Sequence, residues 1–133
     1  MNERWDTAAL KAGASVALVF AAPFLIAARL IADRDDTSSL VLPLVLIAIL
    51  GFVLGAGVAA WRQQLRTPLS HGIVTSGGTF VAVQGVLVVI NLIRGADVRW
   101  FNIFFNFTVA VFAGLIGGLL GMNLQKRGLE PNR

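Results

Sequence analysis

Apolar residues fill four long runs of this chain, and polar residues crowd into the short stretches between them. The first run covers about residues 8–31 and is free of charge from Ala12 to Ala28. The second covers about 40–61, the third 69–93 and the fourth 101–122, which leaves 123–133 as a polar tail. Crossing the roughly 30 Å hydrocarbon layer of a bilayer takes about 20 mostly apolar residues, and every run is long enough. A segment alone in lipid must satisfy its own backbone hydrogen bonds, so each run is predicted to be an α-helix. The expected fold is all-α: residues 1–133 form a single integral membrane bundle of four transmembrane helices, made of two αα hairpins.

The run boundaries carry capping chemistry. Asp6 or Thr7 is placed to cap the first helix and Ser38 or Ser39 the second. Thr67 followed by Pro68 is the clearest start, an acceptor at the cap and then a proline where its missing N–H costs nothing. Pro23 falls inside the first run and predicts a kink there. A cleaved signal peptide is the competing reading of this run. Its length, Arg29 where a cleavage site needs small residues, and a counterpart later in the chain favour a membrane span.

Composition agrees with lipid as the solvent. Of 133 residues 56% are hydrophobic and only 14% charged, where a soluble domain carries about a quarter charged; the mean hydropathy is +0.78. Cysteine is absent, which excludes disulfides, a thiol nucleophile and a Cys-based metal site. The net charge of +4 comes from short basic clusters between apolar runs, not from one basic face, so no nucleic-acid partner is expected.

Those clusters predict orientation. The side with the N-terminus, the second loop and the tail holds seven basic residues against Glu3, Asp6 and Glu130; the opposite side holds Arg29, Arg34, Arg94 and Arg99 against four aspartates. Basic loops stay in the cytoplasm, so both termini are expected there. The alanine- and arginine-rich composition suggests a bacterial plasma membrane. Lys126 and Arg127 form a positive flank placed to touch anionic lipid headgroups.

The glycine-rich stretch GLIGGLLGMNLQKRG (114–128) admits two chemistries. A phosphate loop needs G-x-x-x-x-G-K-[ST] between strand and helix, and neither the spacing nor the hydroxyl is present. A dinucleotide fingerprint fails on its first glycine interval. Gly114 and Gly118 are instead four apart, as are Gly117 and Gly121, and Gly51, Gly55 and Ala59 repeat the interval. Small residues at this spacing form a flat strip by which membrane helices approach closely. Gly77 and Gly78 are assigned to the same packing role. On the fourth helix Asn102, Asn106, Ala110, Ala113 and Gly117 gather on a side expected to face protein, with Phe101, Phe105 and Phe112 turned to lipid. Trp5, Trp61 and Trp100 lie near the expected interfaces.

The third helix carries two stripes of small or polar residues. Ser70, Gly77, Gln84 and Asn91 recur every seventh residue, while His71, Thr75, Gly78, Ala82 and Gly85 lie well away from them. Two such faces need two sets of partners, which puts this helix at the centre of a bundle or at a dimer interface. Gln84, Asn91 and Asn106 serve either as interhelical hydrogen bonds, about 0.6 kcal/mol each, or, with His71, as a polar path for a solute. His71, the lone histidine, is expected as a cap or headgroup contact, with a proton-relay or ligand role as the alternative. One histidine with no intramembrane carboxylate supports neither a metal site nor a cofactor.

No Asp or Glu falls inside the runs, which disfavours a proton-coupled drug carrier. Neither paired carboxylates nor a base beside a hydroxyl is present, so the chain is expected not to be an enzyme; His71 and Arg66 alone would have to support one acting on lipid. The halves align as a parallel repeat: Gly13 falls on Gly77, Gly51-x-x-x-Gly55-x-x-x-Ala59 on Ala113-x-x-x-Gly117-x-x-x-Gly121, and Gln63 on Gln125.

The stretches LSHGIVTSGG (69–78) and AGLIGGLLGMNL (113–124) resemble a family of small four-helix bacterial membrane proteins with no assigned activity. That family carries His-Gly near the start of the third helix and Gly-Gly-x-x-Gly near the end of the fourth, matched by His71, Gly72, Gly117, Gly118 and Gly121. The resemblance implies a fold and a topology, not a chemistry. Two functions follow as expectations. The first is a non-enzymatic membrane protein acting through helix–helix association, with itself or with other membrane proteins. The second is a small channel or carrier for a neutral or anionic solute.

Overall fold

In lipid, burying large side chains gains little, because the tails are as apolar as leucine. The computed structural model, which describes residues 5–34, 38–95 and 97–128, arranges its residues accordingly. Large hydrophobics line the outside, with Ile93 80% and Phe101 79% exposed. The interior is mostly alanine and glycine, with Phe52 and Phe80 as the bulky members of its core.

The helices are α1 (Thr7–Phe20), α2 (Ala22–Arg34), α3 (Val41–Arg62), α4 (Pro68–Ile93) and α5 (Trp100–Lys126). They make four spans long and apolar enough to cross a membrane, α1 and α2 counting as one span of 28 residues. The expected kink lies between α1 and α2, at Ala21, two residues before Pro23. Proline offers no N–H to the carbonyl of Val19, and its ring crowds that carbonyl. Bonds from Ala21 N–H to Ala17 O (2.7 Å) and from Leu25 N–H to Ala21 O (2.9 Å) carry the ladder across. Asp6 caps α1 as expected, accepting from Ala9 N–H at 3.1 Å. Residues 123–126, assigned to the tail by sequence, instead continue α5. Among the charges that set the expected orientation, Glu3, Arg4, Asp35, Asp36, Glu130 and Arg133 lie outside the described residues.

α3 is the common neighbour, packed against α1, α2, α4 and α5. α4 also packs on α1 and α5 and is the most buried span, the central position expected of it. α2 behaves differently. Past the kink it leans on α3, without the packing onto α4 that α1 enjoys.

The glycine strips divide the work between neighbours. A Cβ on Gly117 would collide with Val53 O and lie 2.8 Å from Gly57 N, and one on Gly121 would lie 2.6 Å from Gly57 O, so this edge of α5 rests on α3. A Cβ on Gly114 would lie 2.9 Å from Gly72 O, and on Gly118 3.2 Å from Leu69 Cα, so the other edge rests on α4. Gly55 faces Gly13 across α3 and α1, and Gly51 seats the backbone of the kink itself, its Cβ position 2.7 Å from Ala21 N. Ala59 is fully buried beside Gly13.

Two glycines depart from expectation. Gly77 is buried beneath the Phe107 ring, its Cβ position 3.6 Å away, with no backbone against it. Gly78 is exposed and a Cβ there would meet nothing within 4 Å; it joins no helix contact in this chain, because its face of α4 points away from α1, α3 and α5. Ala82 and Gly85 share that outward face. The alignment of Gly13 with Gly77 is therefore not mirrored in packing, since α4 meets α5 through Gly72. Gly13, Gly57 and Gly72 are packing glycines that the search for paired glycines passes over. Ala17 and Ser76, four residues after Gly13 and Gly72, were the available signal.

Candidate functional site

The kink that parts α2 from α4 leaves a cleft at the end of the bundle away from the termini. It holds a cavity of about 530 Å³. From α2, Ala28, Arg29 and Asp33 form one wall; from α4, Gln84 and Asn91 form the opposite one. Asn102 and Asn106 enter from α5, and Arg94, Asp97 and Arg99 stand at the rim. On α5 the expected faces hold for Ala110, Ala113 and Gly117, which are buried, and for Phe101, Phe105 and Phe112, which are exposed, whereas Asn106 is half-buried and Asn102 exposed at the cavity.

Gln84 is 6% and Asn91 9% exposed, yet neither amide has a hydrogen-bond partner among the described residues, although neither is sealed from solvent. Both groups open onto the cavity. Arg29 and Asp33 pair at 3.8 Å; Arg94 and Arg99 have no carboxylate within 4 Å among the described residues. The site therefore offers amide donors and acceptors in its depth and free guanidinium donors at its mouth.

Beneath it lies a smaller apolar pocket of about 60 Å³, which shares Leu25, Val45 and Asn106 with the cavity and ends on Phe52 and Phe80. The Phe52 and Phe80 rings are 6.2 Å apart, and Phe107 stands 6.1 Å from Phe80. Further down α4, Ser76 donates its hydroxyl to Ala110 O and is fully buried. That bond joins α4 to α5 below the cavity.

His71 belongs to the other end. It lies 13 residues before Gln84, about 20 Å along a helix, so the expected polar path splits. Gln84, Asn91 and Asn106 come together, and His71 does not join them. His71 is fully buried. Its Nε2 accepts from Asp6 N–H at 2.9 Å, which leaves the proton on Nδ1 to be donated to Thr67 O at 2.8 Å. The Thr67 hydroxyl, 3.0 Å from Nδ1, is engaged here and not as the cap of α4, and Trp5 covers the ring at 5.3 Å. Asp6 also accepts from Gln64 N–H at 3.2 Å. Gln63 accepts from Leu65 and Thr67 N–H and donates to Gln125 Oε1 at 3.2 Å. Gln125 in turn donates to Trp61 O and Gln63 O at 2.9 and 2.8 Å. These bonds fasten the N-terminal segment, the α3–α4 connection and the last turn of α5 together.

The rim residues were counted in the sequence only as loop charge. Their spacing carried more: Arg94 follows Asn91 by three, and Arg99, Asn102 and Asn106 step along one helix face. Among the described residues no three His, Asp or Glu side chains stand close enough to hold a metal. Neither protein-family models, nor curated proteins, nor solved structures match this chain.

Proposed function

We propose that this chain is a non-enzymatic carrier of a small polar solute in a bacterial plasma membrane, with both termini cytoplasmic and the vestibule facing outward. One observation supports this above the rest: two nearly buried amides, Gln84 and Asn91, line a cavity of about 530 Å³ with no hydrogen-bond partner among the described residues. Both amides reach the cavity without being sealed from solvent, so water or a solute can complete their hydrogen bonds. Depth supports the same reading. Gln84 lies nine residues from the end of α4, about 14 Å below it at 1.5 Å per residue, near the middle of a ~30 Å hydrocarbon layer. Carriers place their sites there, beside interrupted helices. The floor at Phe52 and Phe80 fits a carrier open to one side better than a continuous pore.

The test uses the absence of cysteine. Asn91→Cys should react with a membrane-impermeant maleimide added outside, and Ser76→Cys should not. Vesicles bearing the protein should take up a solute from a panel of neutral and anionic metabolites, and Gln84→Leu with Asn91→Leu should abolish the uptake. An unreactive Asn91→Cys, or flux no greater than through empty vesicles, overturns the reading.

A second reading, association with another copy or another membrane protein, is favoured by the outward strip Gly78, Ala82 and Gly85, whose glycines meet nothing in this chain. Gly78→Cys crosslinking in membranes tests it, and a strictly monomeric product counts against it.

A further inference from the structure

We infer that the vestibule's solute is an uncharged amide or urea, bound where Gln84 of α4 comes level with Asn102 and Asn106 of α5. This rests on the carrier reading above and names the class of molecule carried.

The register of α4 against α5 brings these three side chains to one height. The two helices run antiparallel: Gly72 faces Gly114 and Gly118, Ser76 bonds to Ala110 O, and the Phe80 ring meets Phe107. Each step of four along α4 is matched by three or four back along α5. The next step sets Gln84 opposite Ile103, between Asn102 and Asn106 in height. Those two asparagines are one turn apart, about 6 Å, and all three amides line the same cavity. A single small molecule can therefore meet them together. Asn91 stands two turns above Gln84, about 10 Å, and is not needed for the contact.

Charge is kept away from that level among the described residues. Arg29 is turned to Asp33, which lies one turn nearer the rim. Arg94 caps the end of α4, Arg99 the start of α5, and Asp97 lies on the connection between them. An ion drawn down to Gln84 and Asn106 would shed its water with no opposite charge beside it, which is costly inside a membrane. A neutral solute avoids that cost.

The amides also discriminate among neutral molecules. A carboxamide presents a C=O acceptor and an NH2 donor side by side on one planar edge. An amide or urea answers with the same two groups in reverse order, so two parallel hydrogen bonds form. A hydroxyl carries donor and acceptor on a single atom and cannot match both positions of one edge.

Urea, guanidinium and nitrate are all planar and three-fold, are close in size, and differ in charge. They serve as probes in phosphatidylcholine vesicles bearing the full chain. Equilibrium exchange of each isotope-labelled probe moves no net charge, so the rates compare recognition. Above the rate in empty vesicles, urea should exchange about tenfold faster than either ion, and faster than glycerol, which is neutral but offers only hydroxyls. Asn106→Leu removes one amide and should slow urea about tenfold, the worth of a hydrogen-bonded pair. Asn91→Cys in the same chain should still react with maleimide from outside, which shows that the vestibule has formed.

Nitrate or guanidinium exchanging as fast as urea overturns the inference, as does glycerol exchanging faster. Full urea exchange in a reactive Asn106→Leu chain also overturns it. Should that variant fail to fold, the order of the four solutes in the unaltered chain decides. Exchange of none of the four, with Asn91→Cys reactive, overturns the inference and leaves the carrier reading standing. An unreactive Asn91→Cys removes both.

Discussion

At the end of the bundle that holds the termini, His71, Gln63, Gln125 and Asp6 bond to one another and to nearby backbone, and they tie three separate chain segments together. At the opposite end Gln84, Asn91, Asn102 and Asn106 offer the same kinds of group and find no partner among the described residues. Residue type does not separate the two sets. What separates them is the helix beside them: α1 lies against α4, whereas α2, past Pro23, does not. Where the neighbour is close the polar groups bind protein, and where it swings away they face a cavity. A polar side chain inside this bundle therefore binds protein or faces a cavity according to how closely the neighbouring helix approaches.

The largest effect should come from removing what both ends share. Gly117→Leu would drive a side chain into Val53 O and the Gly57 backbone. Backbone cannot move aside as a side-chain tip can, so the loss should exceed about 3 kcal/mol, read as loss of the folded monomer in mild detergent. Gly78→Leu enters open space and should leave the monomer's stability unchanged. Equal effects from the two would show that the glycine strips do not set the approach.

His71→Ala comes next. It orphans Asp6 N–H and opens a space beneath Trp5. A loss of about 2–3 kcal/mol is expected, measured by unfolding in mixed micelles, with faster proteolysis of the N-terminal segment. If stability were unchanged while solute uptake fell, His71 would belong to the path after all and the two ends would not be distinct.

The pattern of apolar runs announced the four spans, and proline chemistry placed the bend within two residues. The lipid-facing phenylalanines of α5 were legible from angular position alone. The glycine strips were legible where the sequence repeats them in pairs, and hidden where a lone glycine meets a glycine on another helix, as Gly13 meets Gly55. Periodicity within one helix cannot show which of its faces finds a neighbour. That is why Gly78 was assigned a packing role it does not have in this chain. The same blindness left Gln84 and His71 in one imagined path. Both lie on polar stripes of α4, but what stands opposite each is decided by α1 and α2, through the bend and not through any motif.

Asn91→Leu should sharpen the contrast from the other side. Among the described residues the amide makes no bond to lose, so stability should hold or rise by up to about 1 kcal/mol, while uptake falls. A destabilisation as large as that of His71→Ala would mean that Asn91 is bonded within the bundle, and the carrier reading would lose its main support.

The smallest effect tests an exception within the closed end. The Thr75 hydroxyl is buried without a partner among the described residues, one turn from His71, and its methyl group packs toward Gly13. Thr75→Val keeps the branched shape and removes only the unmet hydroxyl. Leaving such a group buried is unfavourable, so its removal should be neutral or stabilising, by no more than about 1 kcal/mol. Thr75→Ser keeps the hydroxyl and deletes the methyl that touches Gly13, and it should destabilise slightly. The order Val, Thr, Ser in melting temperature would show an unmet hydroxyl and a packed methyl at this position. The reverse order would mean that the hydroxyl is bonded after all, through water or a shift of α1, and that the closed end, like the open one, holds solvent.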